Sequence, residues 1–224
     1  KVGAKRLYTM FRKFGFGSKT GIDSPGETAG SLAHYKKWTS VDTGAIAFGY
    51  GVSVSAIQLV TAASAIANGG ILMKPYLVQA ITAQSGAPLK QFQPQTVRRV
   101  LTKTTARTGK VIMKTDTTQG GTGVNAALDG YTVCGKTGTV RKLDKSGTYA
   151  NDRHMASFVG FTPADNPKLA ILVVIDEPQR KYYGGTVAAP VFRQIAREAL
   201  NYLNIAPGSG VKRFATSRRI EVSG

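Results

Sequence analysis

The hydrophobic period of this chain changes at Tyr131, and that change restricts the fold more than any other feature of the sequence. Upstream, apolar residues recur at helical spacing. From Tyr131 onward, Tyr131, Val133 and Gly135 alternate with Thr132, Cys134 and Lys136, the period of two expected of a strand. Met155 to Phe161 and Leu169 to Ile175 supply two further strands, and the polar segment from Thr162 to Lys168 joins them as an antiparallel hairpin. Pro190 then occupies the first turn of a closing helix with the apolar stripe Phe192, Ile195, Ala196, Ala199 and Leu203. Helices, then strands, then a helix describe an α+β domain with helices packed on an antiparallel sheet, rather than an alternating parallel fold.

The upstream elements follow from caps and stops. Leu7, Met10, Phe11 and Phe14 lie at helical spacing until Gly15 and Gly17 end the pattern. No capping residue precedes this helix, so the chain is expected to open partway through a larger fold. Residues 18–40, with the turn signal Ser24-Pro25-Gly26, read as a long surface loop. Ser55 and Gln58 form a capping box, which predicts a helix from Ala56 with Leu59, Ala62, Ala63 and Ile66 on its buried face. Asn68-Gly69-Gly70 is its stop. Pro94 precedes a second helical pattern, Val97, Val100, Leu101 and Thr105, continuing towards Met113 and ended by the polar turn from Thr117 to Gly123.

Composition narrows the function classes. With 224 residues and 42% hydrophobic content the chain has the size of one globular domain with a continuous core. Its longest apolar run, Leu169 to Ile175, falls far short of the roughly 20 residues needed to cross a bilayer. The N-terminal residues carry no signal-peptide pattern, so any targeting segment is expected outside this chain. A net charge of +18 attracts polyanions without choosing among them. The charges are scattered, except in a basic tail, residues 206–224, expected to be a flexible extension. Nucleic-acid binding lacks aromatic stacking motifs and a helix-turn-helix pattern. Cys134 is the sole cysteine and reads as a buried strand side chain. His34 and His154 sit in no nucleophile setting and read as structural. Zinc spacing, a P-loop and a dinucleotide fingerprint are all missing, so no metal or cofactor is expected.

One segment carries chemistry. Lys136-Thr137-Gly138-Thr139 lies on a predicted strand, where an ammonium and a hydroxyl side by side offer charge and a donor to a substrate carboxylate. Glycine at 138 lets another backbone approach, and the Thr139 N–H would face a carbonyl under attack as one donor of an oxyanion hole. Taken alone the triplet is a weak signal, equally an edge strand with an exposed lysine. Indeed Lys19-Thr20-Gly21 repeats it in a loop.

Context adds more. The order Gly121-Thr122-Gly123, Gly135 to Thr139, Ala156 to Pro163, Gly184-Gly185 and Ala188 to Phe192 resembles the C-terminal half of class B penicillin-binding proteins, particularly division-type D,D-transpeptidases. Upstream, Phe14 to Gly17, Thr20 to Asp23, Pro25-Gly26-Glu27, Phe48 to Gly51 and Ala67 to Gly70 continue the likeness, which spans residues 1–205. The resemblance implies the penicillin-binding protein and serine β-lactamase-like fold, with Lys136, Thr137, Gly138 and Thr139 binding stem peptides or β-lactams, and Lys19-Thr20-Gly21 a structural loop. It also implies peptidoglycan cross-linking at the periplasmic face of the bacterial inner membrane, membrane attachment through an N-terminal anchor outside this chain, and cell-division proteins as partners.

The family's nucleophile is the serine of an S-x-x-K motif. Here only Ser209-Gly210-Val211-Lys212 fits, in the tail with no helix to align it. The chain alone is therefore expected to be inactive, its nucleophile supplied by preceding residues, and prone to self-association through uncovered core. The competing reading is a non-catalytic basic module that holds an anionic wall polymer or a division partner.

Overall fold

A computed structural model describes residues 2–144 and 147–208. The elements are α1 (Ala4–Lys13), β1 (Ser31–Leu32), α2 (Ser40–Ala47), β2 (Val52–Ser53), α3 (Ala56–Ala67), β3 (Ile71–Lys74), β4 (Ala80–Thr82), β5 (Pro88–Gln91), β6 (Gln95–Arg99), α4 (Lys103–Asp116), β7 (Cys134–Leu143), β8 (Tyr149–Thr162), β9 (Leu169–Asp176), α5 (Gly184–Val187) and α6 (Ala189–Tyr202). Short 3-10 turns at Tyr35–Lys37 and Val124–Ala126 complete them. No described helix is long and apolar enough to cross a membrane.

The α+β expectation holds. The main sheet runs β7-β8-β9, antiparallel throughout, and β1·β2, β3·β6 and β4·β5 pair as small separate ribbons. Strand β8 is central, and its alternation divides the core. Phe158 faces α6, where its ring meets Phe192 edge to face at 4.7 Å, with Ala188, Ala189, Ala196 and Leu200 sealed around the pair. Burying one such phenylalanine contributes about 2–3 kcal/mol. On the other face Phe161 joins Cys134, Ala67 and Ala164, covered by Ile66 of α3 and Met113 of α4. Two helical layers thus hold β7 from either side.

The capping box forms as expected: Ser55 Oγ accepts from the Gln58 N–H at 3.2 Å, and Gln58 Oε1 accepts from the Ser55 N–H at 2.8 Å. Asn68 ends α3, and Gly69 and Gly70 follow with φ of +86° and +95°.

Several boundaries depart from the sequence reading. Strand β7 starts at Cys134, three residues after the period changes, because Tyr131 is occupied in a turn with Leu128. Residues 18–40 are mainly loop but include β1 and a 3-10 turn. Val97 lies not on a helix but on β6, which pairs with β3; α4 begins only at Lys103, after the Thr102 cap. On α3 the most buried positions are Gln58, Thr61, Ala62, Ala63, Ala65 and Ala67, with Leu59 and Ile66 half-buried, because the sheet lies close and favours small residues there. On α6 the buried stripe is Ala189, Phe192, Ala196 and Leu200, whereas Ile195 and Leu203 are exposed. Residues 209–224, including Ser209 and Lys212, lie outside the described residues.

Candidate active site

The K-T-G segment sits where α4 ends against the outer side of β7. Lys136, Thr137, Gly138 and Thr139 pair with Val159, Phe158, Ser157 and Ala156 of β8. Their other edge meets no strand among the described residues. The Thr137 N–H points that way, donating to Asp116 Oδ2 at 3.1 Å. In an antiparallel ladder the direction repeats every second residue, so the Thr139 N–H points to the same open edge. A Cβ at Gly138 would collide with Ser157 Oγ, so a larger residue there would force the Ser157 hydroxyl to turn away.

Asp116, the last residue of α4, organises the surroundings although the sequence reading passed over it. Its side chain is only 10% exposed, whereas that of Lys136 is 61% exposed. Lys136 Nζ donates to Asp116 Oδ1 at 3.1 Å, to Thr137 Oγ1 at 3.1 Å and to the Thr137 carbonyl at 3.3 Å. Thr122 Oγ1 lies 2.7 Å from Asp116 Oδ1 and 2.6 Å from Thr137 Oγ1. The Gly121-Thr122-Gly123 turn brings Thr122 there, anchored by the Gly123 N–H on the Asp116 carbonyl at 2.8 Å. A Cβ at Gly121 would strike that same carbonyl, and one at Gly123 would come within 2.7 Å of Asp116 Oδ2.

The glycine pair before α6 closes the other side. The Gly184 N–H donates to Thr139 Oγ1 at 3.0 Å, and the Gly185 carbonyl accepts from Asn125 Nδ2 at 2.8 Å. Just before it, Tyr183 is exposed and its ring lies 4.6 Å from Tyr182, which stacks on His154 at 4.1 Å. His154 is thus held in an aromatic stack. His34 packs against Tyr8 and Tyr35 and caps a 3-10 turn, its Nδ1 accepting from the Lys36 N–H at 3.4 Å.

The second triplet has a different setting. Glu27 accepts from the Thr20 hydroxyl at 2.6 Å and the Gly21 N–H at 3.0 Å, closing a loop. Partial burial raises the Glu27 pKa, but these hydrogen bonds outweigh it and hold the carboxyl below its ordinary value. Lys19-Thr20-Gly21 therefore belongs to a loop closed by Glu27 and lies on no strand.

Taken together, the groups around β7 present an ammonium, two hydroxyls and an outward backbone N–H along one edge. An ammonium and hydroxyls are the donor types that recognise a carboxylate, and a backbone N–H is the donor type that polarises a carbonyl. Among the described groups brought together here, none is a hydroxyl nucleophile joined to a general base.

Comparison with known proteins points the same way. A family profile described as penicillin binding protein transpeptidase domain matches residues 1–197. The chain is 37% identical over 208 residues to the probable peptidoglycan D,D-transpeptidase PenA of Neisseria meningitidis serogroup A, covering 92% of this chain and 34% of that protein. It is 39% identical over 209 residues to stage V sporulation protein D of Bacillus subtilis, covering 92% of this chain and 32% of that protein. The chain thus spans about a third of the length of these curated relatives. Among solved structures, penicillin-binding protein 3 of Mycobacterium tuberculosis complexed with ampicillin superposes with a TM-score of 0.82 at 31% identity, over 92% of this chain and 47% of that one.

Proposed function

Because the chain belongs to the transpeptidase domains of class B penicillin-binding proteins, we propose that β7 forms the substrate-binding wall of a peptidoglycan D,D-transpeptidase. Lys136 and Thr137 take the terminal carboxylate of a D-Ala-D-Ala stem peptide. Gly138 lets the peptide lie along the strand, and the Thr139 N–H serves as one oxyanion donor. A serine attacks the penultimate D-alanine carbonyl, the terminal D-alanine leaves, and an amine of a second strand takes the acyl group. β-Lactams occupy the same wall, a reading supported by the ampicillin complex of the mycobacterial relative.

One observation carries this reading. The Lys136 ammonium and the outward Thr139 N–H share one open strand edge, at a spacing set by the strand itself.

Residues 1–205 form part of the domain; the nucleophile comes from an S-x-x-K motif outside these 224 residues, so the chain by itself transfers no acyl group. The complete protein works at the periplasmic face of the inner membrane, anchored by a segment outside this chain, alongside cell-division proteins. A fluorescent penicillin should label the full-length protein and leave the isolated chain unlabelled. Stable stoichiometric acylation of the isolated chain would sink this reading.

A further inference from the structure

A carboxylate at the last position of a helix faces the negative end of the helix dipole, an unfavourable placement. Asp116 of α4 adopts it, nearly buried. Local rules broken without a local gain mark functional sites, and here the gain is long-range. Asp116 Oδ1 meets Lys136 and Thr122, and Oδ2 meets the Thr137 N–H.

Counting hydrogens fixes the direction of the network. An ionised carboxylate only accepts, and a threonine hydroxyl has one hydrogen to give. Thr122 therefore gives its hydrogen to Asp116 Oδ1 at 2.7 Å. The 2.6 Å contact between Thr122 Oγ1 and Thr137 Oγ1 must then be donated by Thr137. Thr137 Oγ1 in turn accepts from Lys136 Nζ. The chain runs Lys136 to Thr137 to Thr122 to Asp116, and the direct Lys136–Asp116 ion pair closes it into a ring.

From this geometry we propose that Asp116 is the positioning residue of carboxylate recognition: the final acceptor that orients the Thr122 and Thr137 hydroxyls and places the Lys136 ammonium. This role rests on the function assigned to β7 above. With Thr122 committed to Asp116, only the Thr137 hydroxyl has to rotate when a substrate carboxylate arrives, and its hydrogen passes from Thr122 to the ligand while Lys136 stays in place. An asparagine cannot replace Asp116. Whichever way the amide is turned, its NH2 group faces either the Thr137 N–H or the Lys136 ammonium, donor against donor.

The test compares a penicillin with its methyl ester, a pair that differs only in the carboxylate, by second-order acylation rate in the purified full-length protein. Asp116→Asn and Asp116→Ala should lower the acid-to-ester rate ratio about tenfold or more, as expected for a lost charge-assisted contact, with little change in the ester rate. Thr122→Val keeps the carboxylate but cuts the relay, and should lower the ratio by a few-fold; it decides the matter should both Asp116 variants fail to fold. An unchanged ratio, or acid and ester rates falling in parallel, overturns the role of Asp116. A wild-type protein that reacts with neither compound instead overturns the functional assignment on which it rests.

Discussion

Two residues before Lys136 on the same strand, Cys134 is 1% exposed and donates its S–H to the Lys110 carbonyl at 3.2 Å. Burial pushes its thiol up to about 11, against the opposing pull of Lys110 and Lys114. The thiolate is the reactive form, so Cys134 stays protonated and inert through neutral and mildly alkaline pH. At pH 8 a maleimide should label the folded chain on the order of 100-fold more slowly than the urea-unfolded chain, from thiolate fractions alone. Equal rates would contradict the buried, hydrogen-bonded thiol. The burial of Cys134 was legible because strand alternation and residue type agree. Asp116 was not legible: its partners lie 6, 20 and 21 residues away, and nothing in a polar helix end announces them. Its one local trace is the sign of its charge at a helix C-terminus.

At the level of elements, α3 shows both what a pattern reveals and what it hides. The Ser55–Gln58 box was readable from spacing, but the same Gln58 also donates its Nε2 hydrogens to the Ser18 carbonyl at 2.7 Å and the Ala29 carbonyl at 2.9 Å. A helix cap thereby becomes the clamp of the preceding loop. Ser55→Ala should cost about 1 kcal/mol. Gln58→Leu, which strands two loop carbonyls and the Ser55 N–H, should cost about 2–4 kcal/mol. Urea unfolding measures both, and equal losses would mean the loop contacts add nothing. The hairpin β8·β9 and helix α6 were also legible, since long apolar runs and a first-turn proline specify them locally. Strand β6 was misread because its five residues are all exposed, and so show no alternation, while Val97, Val100, Leu101 and Thr105 happen to match a helical period. What makes it a strand is pairing with β3, reached across an intervening ribbon.

For the molecule as a whole, the apolar surface left bare matters most. Among the described residues β9 is an outer strand of the main sheet. Its Leu172 and Val174 line an open groove of about 420 Å³ with Ala56, Ile57 and Val60 of α3. An apolar outer strand with free N–H and C=O groups readily pairs with another copy. Gel filtration of the isolated chain should give elution that depends on concentration, and Val174→Lys should shift it towards the monomer. A sharp monomeric peak with cooperative unfolding would argue against this. A stiffer relation governs the opposite side of the sheet. A Cβ at Gly184 would run into the carbonyl oxygens of Ser157 and Gly138, so α5 rests directly on sheet backbone with no side chain as a spacer. Side chains absorb small displacements by changing rotamer; peptide planes in contact have no such slack. Strand β7 and α5 are therefore joined backbone to backbone, and because the Gly184 N–H also donates to Thr139 Oγ1, a displacement of α5 is expected to be felt at Thr139.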